Sequence, residues 1–204
     1  MNKLIFTILC LGLIVTAQAQ AQPLSPVELQ DQPVYTSLDE ALKNPEQVYR
    51  LKLKGEKKWD TIPNKLFLLT NLQELTIVRC GLMQVNQQIE KLQNLQYLDV
   101  SRNKLITLPE SIGNLQELKT LIINRNMIEY LPESMGKLKK LESIDAWDNH
   151  LYVLPKSIAE LAETLKIIDL RQIPLRAEEL DYMELLLPKT KIYYTSLCEC
   201  KDSR

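Results

Sequence analysis

The side chains best equipped for chemistry in this chain are two thiols one residue apart, Cys198 and Cys200, and a single histidine, His150. Thiols at that spacing could hold a metal, close a strained disulfide or join a second chain, and in an oxidising compartment they would oxidise with each other. His150 follows Asp148 and Asn149, and no nucleophile stands at a fixed spacing to be activated by it. The five glycines build no phosphate-cradling loop. The acidic residues are scattered, without the spacing of metal ligands. A formal charge of −1 asks for neither nucleic acid nor an anionic membrane. The reading is therefore of a protein that is not an enzyme and takes no cofactor, with a thiol-based redox or metal-binding role at Cys198 and Cys200 as the competing class.

What remains is surface, and the elements that would position it are set by an internal repeat. Aligned on their leading leucines, units run Leu72 to Asn94, Leu95 to Glu117, Leu118 to Lys140 and Leu141 to Thr164, the first three 23 residues long. Leu95, Leu98, Val100, Leu105, Leu108, Ile112 and Leu115 are matched by Leu118, Leu121, Ile123, Ile128, Leu131, Met135 and Leu138. Leu108-Pro109, Leu131-Pro132 and Leu154-Pro155 recur with Asn103, Asn126 and Asn149 at fixed offsets.

This pattern resembles the leucine-rich repeat family in its 23-residue, Leu-Pro-containing bacterial and plant-like class. Degenerate units from Val48 to Asn71 and from Leu165 onward extend the resemblance over most of the chain after residue 47. It implies an α/β solenoid, a curved horseshoe with a parallel sheet on the concave face and short helical or 3-10 segments on the convex face. It also implies that the concave face binds a protein or peptide.

The residues give the same scaffold on physical grounds. Alternation through Leu98, Asp99 and Val100 is that of a half-buried strand. No unit can bury its leucines alone, so units must stack and share one continuous core. Strands stack at roughly 4.8 Å and helices at roughly 10 Å, which puts the strands inside a curve. Each Leu-Pro pair marks a turn into a short helical segment, with Gly113 or Gly136 near its end. Asn103, Asn126 and Asn149 read as structural, bonding backbone groups otherwise left orphaned at the turn. Cys80 takes the same place in its unit as a buried thiol, and Glu56 and Ile173 fall there in the terminal ones.

The ends depart from the repeat. Residues 1–21 carry Lys3, an apolar run from Leu4 to Val15, and Ala17, Ala19 and Ala21 at cleavage spacing, the pattern of a secretory signal peptide. Cys10 lacks the small residues that precede a lipidated cysteine, and no stretch is long enough to span a membrane. Residues 22–36 read as an irregular arm and residues 37–47 as a helical cap opened by the capping box Ser37-Leu-Asp-Glu40. About six units fill residues 48–176. Residues 177–204 form a C-terminal cap and tail, with a helix from Ala177 to Leu187 and a short strand from Lys191 to Thr195.

The outward positions of the repeats, at offsets 2, 4, 6 and 7 from each leading leucine, supply the candidate binding face. They bring forward Arg79, Tyr97, Asp99, Arg102, Ile122, Asn124, Arg125, Asp145, Trp147, Asp148 and Arg171. Arg79, Arg102 and Arg125 line up in successive units, and Trp147 stands where packing does not require it. Aromatic and arginine side chains dominate binding hot spots. The bland alternative is a solvated face with Trp147 lying flat across a neighbour. Across six strands the face runs from basic Arg50, Lys52 and Lys54 to acidic Asp145, Asp148 and Asp169, which would orient an oppositely polarised partner. The expected protein is a monomeric, exported binding module that is periplasmic, cell-surface or secreted. A purely structural envelope or surface protein is the other alternative.

Overall fold

The structure, a computed structural model, describes residues 23–55 and 59–195. The leader expected at 1–21, Glu56, Cys198 and Cys200 lie outside the described residues. Eight parallel strands form one sheet in chain order: β1 (Val34–Tyr35), β2 (Arg50–Lys54), β3 (Glu74–Val78), β4 (Tyr97–Asp99), β5 (Thr120–Ile122), β6 (Ser143–Asp145), β7 (Ile167–Leu170) and β8 (Lys191–Tyr194). Between them the chain returns through 3-10 turns, including Asn64–Leu68, Gln87–Lys91, Glu110–Asn114, Glu133–Lys137 and Lys156–Leu161. The result is a leucine-rich repeat solenoid, with the sheet on the concave side.

The register follows the sequence repeat. Leu98 lies beside Leu121 and Leu121 beside Ile144, all fully buried, so each strand places its apolar side chain on the same inner column. The core is continuous from Leu38 to Leu187. Pro109, Pro132 and Pro155 sit in extended backbone immediately before their 3-10 turns, where the missing N–H costs no intrahelical bond. Gly113 and Gly136 serve close packing of one turn on the next. A Cβ built on Gly113 would stand 2.5 Å from the carbonyl oxygen of Ser134, and one on Gly136 the same distance from that of Ser157.

The asparagine column closes the turns. Asn126 Oδ1 accepts from Leu105 N–H at 3.1 Å, and its Nδ2 donates to the carbonyls of Ile123 at 2.8 Å and Val100 at 3.1 Å. Asn149 repeats the arrangement on Ile128, Ala146 and Ile123. Asn103 accepts from the N–H groups of Cys80 and Leu82 and donates to the carbonyl of Ile77. Cys80 Sγ faces the carbonyls of Val78 and Leu53, and burial raises its pKa, as befits an inert thiol.

The N-terminal end differs from expectation, whereas the C-terminal helix and strand fall where they were expected. The described part of the stretch 22–36, residues 23–36, is not an irregular arm. Pro26–Gln30 is a helical turn, α1, capped reciprocally by Ser25 and Glu28, and Val34–Tyr35 pairs with β2. Two glutamines hold its start: Leu24 N–H donates to Gln73 Oε1 at 2.9 Å, while Gln96 Nε2 donates to Leu24 O at 2.8 Å. Arg50 fixes its end by donating to the carbonyl of Gln30. The second helical turn, α2 (Leu38–Ala41), keeps one half of the expected box, Glu40 N–H to the Ser37 hydroxyl. At the far end the helix α3 (Ala177–Leu186) buries Met183, and β8 joins the sheet in register, Ile167 beside Lys191. The sheet therefore has eight strands, the six repeat strands expected on the face together with β1 and the cap strand β8. Its seven spacings of roughly 4.8 Å span about 34 Å.

Candidate functional site

The outward side chains form ranks across the sheet because parallel register repeats every unit. One rank runs Lys52, Thr76, Asp99, Ile122, Asp145, Asp169 and Tyr193. Beside it run Arg50, Glu74, Tyr97, Thr120 and Ser143. Asn124, Trp147 and Arg171 follow the strand ends, and Arg79, Arg102, Arg125 and Asp148 make the turn beyond. All eleven expected positions thus share this face and its rim, although Thr76 and Ser101, also expected to point outward, are buried. Tyr97, Asp99, Ile122, Asn124, Asp145 and Trp147 are half-buried, while Arg79, Asp148 and Arg171 are exposed.

The rim carries an unusual backbone. Arg79, Arg102, Arg125, Asp148 and Gln172 have φ of 58, 56, 54, 57 and 58°, in the left-handed region, and Gly55 takes the same place one unit earlier at 64°. Their N–H groups continue the ladder past the strand ends: Arg102 donates to the carbonyl of Asn124 and Arg125 to that of Trp147. Arginine gains nothing locally from this conformation, which glycine adopts freely.

Charge is distributed differently from the expected end-to-end gradient. Glu74 takes both Arg50, at 2.6 Å, and Lys52, at 2.8 Å, so one of the three positive charges at the basic end is offset. Partial burial pushes the Glu74 carboxyl up, but the bonds from Lys52 and Arg50 outweigh it and hold the group below the usual glutamate range. Arg171 grips Asp169 through two nitrogens. Asp99 bonds the N–H of Ser101. Asp145 accepts from Asn124 Nδ2 at 2.7 Å, yet its other oxygen is buried without a hydrogen bond. Burial, with help from Asp169 and Asp99 against the Asn124 bond, raises the Asp145 pKa. Burial and the surrounding carboxylates Asp99, Glu74 and Asp145 push the Tyr97 phenol up to about 12. Arg125 lies over the Trp147 ring at 4.4 Å and has Asp148 at 3.8 Å. Trp147 is thus a stacked, half-buried platform.

The Asp145 arrangement gives a pH prediction. Its folded pKa is raised, so the carboxyl favours the fold while protonated, and stability falls as pH rises through that value. Asp145→Asn should therefore stabilise the protein at pH 7 and have no such advantage below the ordinary aspartate range. Denaturant titrations at pH 7 and pH 3 check this, and a larger gain at pH 3 would contradict it.

His150 is exposed and lines an open cleft of about 340 Å³ with Leu151, Tyr152, Pro174, Arg176 and Glu179, a set that offers it no thiol or aliphatic hydroxyl to activate. Among the described residues no group of three His, Cys, Asp or Glu is placed to hold a metal ion, and no helix is long and apolar enough to cross a membrane. A second surface was not anticipated. Tyr130 and Tyr152 pack with tilted rings on the flank, centroids 5.7 Å apart, and Ile106 and Val153 lie exposed near them. Apolar residues at offsets 11 and 12 in successive units were the available signal.

Comparison with known proteins adds to this geometry. A family model described as a leucine-rich repeat region matches residues 46–188. A leucine-rich repeat protein of Leptospira interrogans superposes with a TM-score of 0.64 at 29% identity, covering 79% of this chain and 46% of its own. The ectodomain of the membrane receptor kinase GASSHO1/SCHENGEN3 from Arabidopsis thaliana, solved in complex with Casparian strip integrity factor 2, gives a TM-score of 0.62 at 23% identity, covering 79% of this chain and 20% of its own. The chain spans less than half the length of either structure. No curated protein matches it.

Proposed function

Given that the chain belongs to the leucine-rich repeat family, we propose that it is a non-enzymatic binding module that holds a protein or peptide against the concave sheet. The scaffold alone does not decide this, because one fold serves many functions. The observation that carries the reading is the cluster of half-buried Tyr97, Ile122 and Trp147 on one outward face, with Arg125 lying against the tryptophan. A merely solvated face has no need of that apolar area, whereas aromatic and arginine anchors ringed by polar groups are the pattern of binding hot spots. Asp99, Asn124, Asp145, Asp148 and Arg171 supply the polar surround.

Export belongs to the same proposal and rests on the leader pattern in residues 1–21. Cleavage after Ala19 or Ala21 should leave a monomeric mature protein beginning at Gln20 or Gln22, which mass spectrometry of protein from the native envelope and medium would read directly. An intact Met1 there would contradict it. Trp147→Ala should weaken the partner captured from the same fractions by about tenfold, or roughly 1–2 kcal/mol. Lys139→Ala, on the convex side in an ion pair with Glu160, should leave capture unchanged. The reverse pattern would place the binding surface elsewhere.

A further inference from the structure

The arginines of this face and its rim divide into two kinds. Arg125 is occupied, stacked on Trp147 with Asp148 near its Nε. Arg171 and Arg50 are held by Asp169 and Glu74. Arg79 and Arg102, by contrast, have no hydrogen bond or ion pair through their guanidinium groups among the described residues. They occupy successive turns, a strand spacing of roughly 4.8 Å apart. Each stays in left-handed backbone that glycine would take without strain, and the equivalent Gly55 does so. Their neighbourhood is also mutually repulsive: partial desolvation, with the charges of Arg125 and Arg79, lowers the Arg102 pKa against the pull of Asp99. Like-charge crowding kept on an open rim is a feature that an anionic ligand would compensate.

We propose that Arg79 and Arg102 form an anion subsite at the rim of the concave face and take carboxylate side chains from an acidic segment of the protein or peptide partner. Guanidinium forks match carboxylate geometry. The neighbouring rank argues against a polyanion. Asp99 and Asp145 lie one column inward, and a nucleic acid backbone, with a charge every 3.4 Å along each strand, would have to cross them. A peptide can set isolated carboxylates on the rim and apolar side chains over Tyr97 and Ile122. This subsite rests on the concave reading, but the two fail in different ways.

The test uses the full chain and a fluorescein-labelled, end-blocked Glu-Gly-Glu-Gly-Glu peptide, followed by anisotropy at low salt. The double variant Arg79→Gln/Arg102→Gln should weaken the peptide on the order of tenfold. Lys139→Gln/Lys140→Gln removes the same charge from the convex side and should change binding by less than about twofold, since screened distant charge contributes little. Equal losses from the two double variants would reduce the effect to net charge and overturn the subsite. Displacement by inorganic phosphate beyond that by chloride at equal ionic strength would overturn the carboxylate assignment in favour of a phosphate ligand. Arg102→Gly should weaken the peptide while leaving the melting temperature at or above that of the parent. A fall of several degrees would assign the arginine to the fold instead. If Trp147→Ala abolishes partner capture while the glutamine pair leaves the peptide unaffected, the face stands and the subsite falls. If the pair matters and Trp147→Ala does not, the subsite stands and the face falls.

Discussion

Leu121→Ala should lower the free energy of unfolding by about 2–5 kcal/mol, the sum of lost transfer energy and the cavity left behind. Leu121 is fully buried, lying in register between Leu98 and Ile144, so its methyl groups pack against two neighbouring units at once. Close-packed interiors relax only partly around such a hole. In a solenoid the damage also falls on interfaces that carry much of the stability. Lys139→Ala, exposed on the convex side, should cost little. Guanidinium chloride titrations of the two variants read the difference. Equal, small losses would mean that the repeat register is wrong.

Asn126→Ala should cost about 3 kcal/mol or more, because it strands several buried backbone groups together and each orphan carries a penalty of about 1–3 kcal/mol. The amide closes the turn of its own unit on Ile123 and ties it to the preceding unit through Leu105 N–H and the carbonyl of Val100. Asn126→Cys should lose less. Cys80 occupies the same column and still directs its thiol at two carbonyls, Val78 and Leu53, though a thiol is a weak donor. Melting curves for the two variants would rank them, and a cysteine variant worse than alanine would contradict the structural role given to this column.

How much of this was legible in the sequence depended on whether a feature repeats. The Leu98, Leu121 and Ile144 column and the asparagine column recur every unit, so periodicity alone located them. The strand β1 could not be found that way. It pairs Val34 with Arg50, sixteen residues on, outside the repeat period, and the Ser25–Glu28 box that opens α1 lay in a stretch whose Gln and Pro content suggested a spacer. Strand β8 was expected from its own residues, Lys191 to Thr195, and it follows β7 at a repeat's distance although α3 replaces the leucine pattern between them. The charge gradient is weaker than expected for a cross-strand reason. Glu74 was already among the outward residues, and only the register that sets it beside Arg50 shows that it offsets part of the charge there. The left-handed rim had a signal that went unread: Gly55 and Asp148, residue types that tolerate this backbone, share a column with Arg79, Arg102 and Arg125.

The concave face is the centre of the account, and its opposite is the tyrosine flank, so one labelling experiment separates them. Hydroxyl-radical footprinting of the full chain, with and without its captured partner, reads aromatic side chains individually. Partner binding should protect Tyr97 and Trp147 and leave Tyr130 and Tyr152, whose exposure is 55% and 58%, as reactive as in the free protein. Protection of Tyr130 and Tyr152 with Trp147 unchanged would contradict the concave assignment and place the partner on the flank.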